Sequence, residues 1–300
     1  MDNYIHTEII FCGIDNIHVM RASYEALCKA VLSDSKCSQS EMDSIHLTSL
    51  QKNTCTISHR EEQFDFVKKV DVSNWITHCS KVLMASVLMA EKLHLEGCSC
   101  LVHCSDGWDR TAQMTGIAQL ILDPYYRSLE GFAILIEKEF CAFGHKFDDR
   151  CGHLRLSTAK DAEERSPIFI QFLDVVHNIL FQFPYSFEFN EELLVFLADH
   201  VYSCLFGNFL GNAEVDRSKL KVREKTQSLW SYVLTYKEQF VNNKYLAGSD
   251  QPVVIWPAFN PRSLRLWERY FLRWTVNAHL PATPWHDDWY GMLLYPLYLL

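Results

Sequence analysis

Cys104 and Arg110 enclose five residues in the stretch Val102-His103-Cys104-Ser105-Asp106-Gly107-Trp108-Asp109-Arg110-Thr111. An apolar run, Cys100 to Val102, leads into the stretch, and a run with helical periodicity, Thr111 to Leu122, leads out of it. The order strand, tight loop, helix constrains the fold more than any other feature of the chain. It asks for an α/β arrangement with the loop between the end of a strand and the start of a helix.

That order suits a phosphate ester and a nucleophile. A five-residue loop between Cys104 and Arg110 can turn the backbone N–H groups of Ser105, Gly107 and Trp108 inward as an anion-binding nest. The helix start adds unpaired N–H groups and partial positive charge. Arg110 can grip two phosphate oxygens with its planar fork, and Gly107 permits close backbone approach. The same field lowers a thiol pKa from ~8.5 into the ~3.5–7.5 range, which makes Cys104 a thiolate ready to attack phosphorus. Thr111 is a candidate hydrogen-bond partner of that thiolate. An alkoxide is a poor leaving group and needs a proton; Asp109 is the preferred acid, Asp106 the second choice or an electrostatic organiser. A salt bridge to Arg110 is the alternative for either carboxylate. Cys104 with His103 as a cysteine hydrolase is disfavoured, because adjacent residues on a strand point to opposite faces.

The run His103 to Gln113 resembles the active-site signature of the myotubularins, lipid phosphatases of the Cys-based protein tyrosine phosphatase superfamily. Further blocks resemble the family in family order: Asn16-Ile17-His18-Val19-Met20-Arg21, Leu122-Asp123-Pro124-Tyr125-Tyr126-Arg127, Phe143-Gly144-His145-Lys146-Phe147, Ser166-Pro167-Ile168-Phe169 and Ser203-Cys204-Leu205-Phe206-Gly207. The resemblance covers about residues 5–275. It implies an α/β fold, a protein tyrosine phosphatase-like sheet flanked by helices with a helix-rich C-terminal half. It also implies removal of the 3-phosphate from phosphatidylinositol 3-phosphate and phosphatidylinositol 3,5-bisphosphate through a cysteinyl-phosphate, with no cofactor and no metal. Inactive members lack the loop Cys, Asp or Arg, whereas this chain keeps Cys104, Asp109 and Arg110.

The resemblance also implies roles outside the loop. Asn16 and Ile17 lie beside the substrate phosphate, and Lys146 and Arg150 supply cationic contacts to the other inositol phosphates. From the residues alone, Asn16 reads as a turn or cap. Lys146 and Arg150 read as a solvated pair balanced by Asp148 and Asp149. Expected partners are phosphoinositides at a membrane surface and, by homo- or hetero-dimerisation, other myotubularins. The family's lipid-binding domain and the first part of its catalytic domain are not matched, so the sheet is expected to be incomplete in this chain. The division is a phosphatase domain over 1–276 and a tail of unassigned role over 277–300. A phosphotyrosine phosphatase and a non-catalytic binding partner are the competing functions.

Composition narrows the partners. The net charge of −9 argues against nucleic acid and against a broad basic membrane-binding face. Eleven cysteines show no regular framework, Met1–Phe11 shows no secretory signal, and a nucleophilic thiol needs a reducing compartment. Together with the resemblance, this implies a cytoplasmic protein peripheral to endosomal membranes. Cys98-x-Cys100 near His103 is poorly spaced for zinc and reads as core.

Along the chain, strands are expected at Glu8–Gly13 and just before Cys104, and a surface loop over 33–60. Helices are expected over 19–32, over 73–95 with Ser73 as N-cap, and over 111–122 up to Asp123-Pro124. More follow over 128–143, over 166–182 with Ser166 as cap and Pro167 first, and over 191–206 after Asn190. Residues 154–164 read as loop, and Leu264, Trp267, Tyr270 and Trp274 as an amphipathic segment.

Overall fold

The apolar stripe Trp75, Cys79, Val82, Leu83, Val87 and Ala90 recurs every three or four residues, and all six side chains are buried. It builds a central helix, Trp75–His94. The computed structural model describes residues 7–42, 65–153, 159–248 and 251–273. Within them we number α1 Ile17–Met42, α2 Trp75–His94, α3 Arg110–Leu122, α4 Leu129–Ile136, α5 Phe147–Cys151, α6 Ile168–Gln182 and α7 Glu191–Ser203. The core forms where α2 packs on α3 and both pack on α6. Phe132, Phe140, Phe147, Phe169 and Phe172 fill the space below α3. Each such burial is worth about 1.5–3 kcal/mol, which lets this layer carry a polar loop at one end.

Helix ends follow local chemistry. Asn190 and Ser128 cap α7 and α4 through side-chain oxygens that accept from Leu193 and Gly131 N–H. Ser73 accepts the Trp75 N–H although the helix begins two residues later, after a left-handed Asn74. Asp123 and Pro124 end α3 as expected.

Five expectations about the helices are corrected. The helix over 128–143 is α only to Ile136 and then widens into a π turn, Glu137–Ala142, from which Glu139 accepts Thr115 and Gln119 of α3. Ser166 does not cap α6; its hydroxyl donates to the Ile17 carbonyl at 2.8 Å and ties α6 to the start of α1. Helix α7 stops at Ser203, where Cys204 takes a left-handed conformation with φ 55°. Residues Ala159–Glu164 are helical, and α1 runs on to Met42.

The expected sheet is not seen among the described residues, which are helix-rich and hold only two isolated bridges, Phe189 with Val241 and Phe206 with Gln227. A strand exists only when a neighbour accepts its ladder, and neither 8–13 nor 98–103 has one here. Phe11 and Leu101 are each 93% exposed, so the apolar runs that read as buried strands stand open. Cys98 and Cys100 are exposed, not core. Most of the loop expected over 33–60, residues 154–158 and the tail 277–300 lie outside the described residues. So does Trp274; Trp267 and Tyr270 are buried beside a short helix, Glu268–Phe271.

Candidate active site

The loop from Cys104 to Asp109 meets the first residue of α3, Arg110, so the thirteen-residue helix aims its N-terminus at the loop. Gly107, with φ +90°, makes the turn that points its N–H at the Cys104 sulfur, 3.2 Å away. Burial alone would raise the thiol pKa. The Thr111 hydroxyl and the backbone N–H groups of Gly107, Asp106 and Thr111 outweigh it and bring Cys104 down to about 7. Cys104 is therefore substantially thiolate at neutral pH. Arg110 lies across the loop, donating to the Ser105 hydroxyl at 2.8 Å and to the Ile14 carbonyl at 3.3 Å. His103 touches the Cys104 carbonyl through Nδ1, a contact to backbone rather than to the sulfur.

Asp109 and Asp106 part company. Asp106 is exposed. Asp109 is 6% exposed and bound twice: Arg150 donates from Nε and Nη2, and His145 Nδ1 lies 3.0 Å from Oδ1. Burial would raise the Asp109 pKa, but His145 and then Arg150 hold it at about 2. The bridge that the sequence offered as an alternative is real, but its partner is Arg150 rather than Arg110.

Arg150 is correspondingly not a free cation. It is 4% exposed, and its remaining nitrogen donates to the Glu164 carbonyl and carboxylate. Lys146, four residues earlier, takes the opposite course. It precedes α5, keeps a third of its side chain exposed and holds its ammonium 4.5 Å from the Trp108 ring centre. The helical spacing of the two residues therefore does not give them a shared face. Lys146 stands at the loop lip, and Arg150 braces the loop from below.

The Asn16-Ile17 turn is joined to the same centre through Ile14 and Arg110. Asn16 accepts the His18 and Val19 N–H groups on Oδ1, capping α1 and leaving its NH2 group unspent by the cap. Asp15 is tied to α2 by Lys81 at 2.7 Å and His78 at 3.2 Å. The loop, the turn and Lys146 are thus brought together, while Arg150 serves from the interior.

Residues 1–218 match the family model described as the myotubularin-like phosphatase domain. The chain belongs to the myotubularin-like phosphatase family. It is 39% identical over 278 residues to the phosphatidylinositol-3,5-bisphosphate 3-phosphatase MTMR6 of Rattus norvegicus, a match that covers 93% of this chain and 38% of the relative. It is 41% identical to the MTMR8 3-phosphatase of Homo sapiens, covering 89% of this chain and 34% of the relative. It is also 41% identical to the myotubularin of Rattus norvegicus, covering 97% and 44%. The chain therefore spans well under half the length of the curated relatives it matches.

A side chain against this myotubularin-like loop that the sequence did not single out is His145. It lies inside the resembling block Phe143–Phe147, but 35 residues beyond Arg110, and only folding brings it under the loop. Its signal in the sequence is a histidine between the apolar run Phe140–Phe143 and the charged run that starts at Lys146, with no indication of a partner. A cavity of about 610 Å³ bordered by Glu137, Asn208, Arg217, Lys221 and Trp230 contains no loop residue, and Arg217 and Trp230 already have partners in it.

Proposed function

We propose that this chain is a phosphoinositide 3-phosphatase that works through a cysteinyl-phosphate. The observation that carries the proposal is the Cys104 sulfur, drawn down to about 7 by loop N–H groups and Thr111, beside Arg110 at a helix N-terminus. The thiolate attacks the 3-phosphate in line and the inositol oxygen leaves. Arg110 and the N–H groups of the loop take up charge on the equatorial oxygens. Water then hydrolyses the thiophosphate, and the Thr111 hydroxyl stabilises the departing thiolate.

The leaving oxygen needs a proton, a contribution of about 10²–10⁴ in rate. Asp109 meets an obstacle as donor, since His145 and Arg150 hold it ionised. Asp106 faces solvent at the loop without a gripping cation, and a phosphate dianion bound beside it favours its protonated form, so we assign it the proton and assign Asp109 the anchoring of the loop. Lys146, exposed at the lip, is the cation for a second inositol phosphate, with Trp108 as its platform. Asn16 and Ile17 complete the pocket wall.

The relatives' names supply the substrate class: two are phosphatidylinositol-3,5-bisphosphate 3-phosphatases. Such lipids are met at a membrane surface, so the chain acts as a peripheral protein. Among the described residues no helix is long and apolar enough to cross a membrane. The test is phosphate release from short-chain phosphatidylinositol 3-phosphate and from a phosphotyrosine peptide, each beside Cys104→Ser. Lipid release abolished by the substitution supports the reading. Release from the peptide alone replaces the lipid by a protein substrate, and binding without release leaves a non-catalytic partner.

A further inference from the structure

We infer that His145 is a positioning residue of the phosphatase loop: one imidazole N–H fixes both the Trp108 carbonyl and the Asp109 carboxylate, and so sets the backbone that cradles the phosphate and the Cys104 sulfur. The inference rests on residues 103–111 being a thiolate phosphatase loop, and its test reads the thiol rather than lipid turnover.

The geometry begins with the backbone. After the π turn, Gly144 takes φ +80°, and the His145 N–H donates to the Phe140 carbonyl at 2.9 Å. The His145 carbonyl in turn accepts the Phe147 N–H at 2.8 Å. Both main-chain groups are spent, so only the ring of His145 is left to bond the loop. It is 0% exposed and stands edge-on to Phe140 and Phe147, with ring planes at 84° and 87°. A histidine so enclosed loses its hydration and needs a return for it.

That return lies at Nδ1. It is 2.9 Å from the Trp108 carbonyl and 3.0 Å from Asp109 Oδ1. Both neighbours are acceptors, so Nδ1 carries the proton and shares it. The other nitrogen, Nε2, has no hydrogen-bond partner among the described residues. The polar capacity of the ring is therefore directed at the loop. Fixing the Trp108 carbonyl fixes the plane of the Trp108–Asp109 peptide, because that unit rotates as one body. One further peptide unit, Gly107–Trp108, links it to the Asp106–Gly107 unit, whose Gly107 N–H is 3.2 Å from the Cys104 sulfur. Asp109, held by the same proton, is also the residue whose carbonyl accepts the Gln113 N–H in the first turn of α3. His145 thereby joins the thiol-facing part of the loop to the helix that aims at it.

A merely structural histidine would be replaceable by a ring of similar shape. The experiment compares His145→Phe, which keeps the aromatic packing and removes the donor, with His145→Asn, whose amide can reach the Nδ1 position. The full chain is labelled with iodoacetamide across pH 5–10, and modification of the Cys104 peptide is followed by mass spectrometry, which separates it from the other cysteines. Folding of each variant is checked by its thermal transition. We expect the Cys104 midpoint to rise by about one unit in the Phe variant, because the loop N–H groups no longer converge on the sulfur, and to stay close to the wild-type value in the Asn variant. In parallel, turnover falls by on the order of 10²-fold with little change in KM for Phe, and Asn recovers most of it. A folded Phe variant with the wild-type midpoint, or an Asn variant shifted as far as Phe, overturns the inference. Should the Phe variant fail to fold, His145→Gln serves in its place, since its longer side chain carries the amide toward the Nε2 end. A wild-type midpoint in folded Gln protein overturns the inference equally. A Cys104 thiol that titrates as expected in a chain that releases no phosphate from lipid would overturn the proposed function and leave the positioning role standing.

Discussion

Arg150 grips Asp109 from below the loop, with Nε 3.2 Å from both carboxylate oxygens and Nη2 2.8 Å from Oδ2. Both side chains are almost wholly enclosed. Breaking such a pair from one side leaves a buried charge alone, at a cost of about 3–5 kcal/mol. Arg150→Gln should therefore lower unfolding stability at pH 7 by that order and lower kcat on mono- and bisphosphate lipids alike. Urea unfolding and kinetics on both lipids check this. A rise in KM for the bisphosphate alone, with stability intact, would return Arg150 to the head-group role the family resemblance implied.

The same pair fixes a pH dependence. Asp109 has a folded pKa of about 2, below the ~3.9 of an unfolded chain. Its contribution to stability is fully present above ~3.9 and is lost as pH falls through 2. Nearly two pKa units correspond to about 2–3 kcal/mol, so Asp109→Asn should flatten the acid limb of the stability curve between pH 4 and 2 while lowering stability at pH 7. Equilibrium unfolding at half-unit pH steps would show it; an unchanged acid limb would mean that Asp109 is not held ionised.

The division of labour between the loop carboxylates can be read from the leaving group. An aryl phosphate leaves without a proton, whereas an inositol phosphate does not. Asp106→Asn should therefore lose about 10²–10⁴ in turnover on the lipid and little on the aryl ester. Asp109→Asn should lose activity on both, because the loop loses its anchor. The reverse ranking restores Asp109 as the acid.

How much of this was legible in the sequence depends on distance along the chain. The loop was readable because its chemistry is local: the Cys104 thiol, the turn at Gly107 and the helix start at Arg110 lie within seven residues. Helices α2 and α3 were readable because their apolar periodicity is strong and their ends carry breakers, Gly97 and Asp123-Pro124. The reading of Arg150 as a solvated cation failed because spacing on a helix says which residues share a face, not whether that face meets solvent or a carboxylate 41 residues away in the chain. The side-chain oxygen of Ser166 went to Ile17 rather than to its own helix for the same reason, since a cap competes with any acceptor that folding brings near. The strands at 8–13 and 98–103 were read from apolar runs, and an apolar run reports a tendency to be buried, not the presence of a partner.

Lys146 offers the prediction that bears most directly on substrate choice. Its ammonium is 4.5 Å from the Trp108 ring centre and 3.9 Å from Asp149 Oδ2, so it is steered toward the lip by a π face and a carboxylate. An exposed ammonium in water gains little from one neighbour, but a dianionic phosphate bound beside the loop is partly desolvated and attracts it more strongly. Lys146→Met keeps most of the stem packed on Trp108 and removes the charge. KM for phosphatidylinositol 3,5-bisphosphate should rise about tenfold, equivalent to ~1.4 kcal/mol, with a smaller change for the 3-phosphate. The ratio of kcat/KM for the two lipids is the quantity to measure, because it cancels any general damage to the loop. A ratio unchanged by the substitution would mean that the second phosphate points away from Lys146, and that Trp108 holds the lysine for the loop's sake rather than the lipid's.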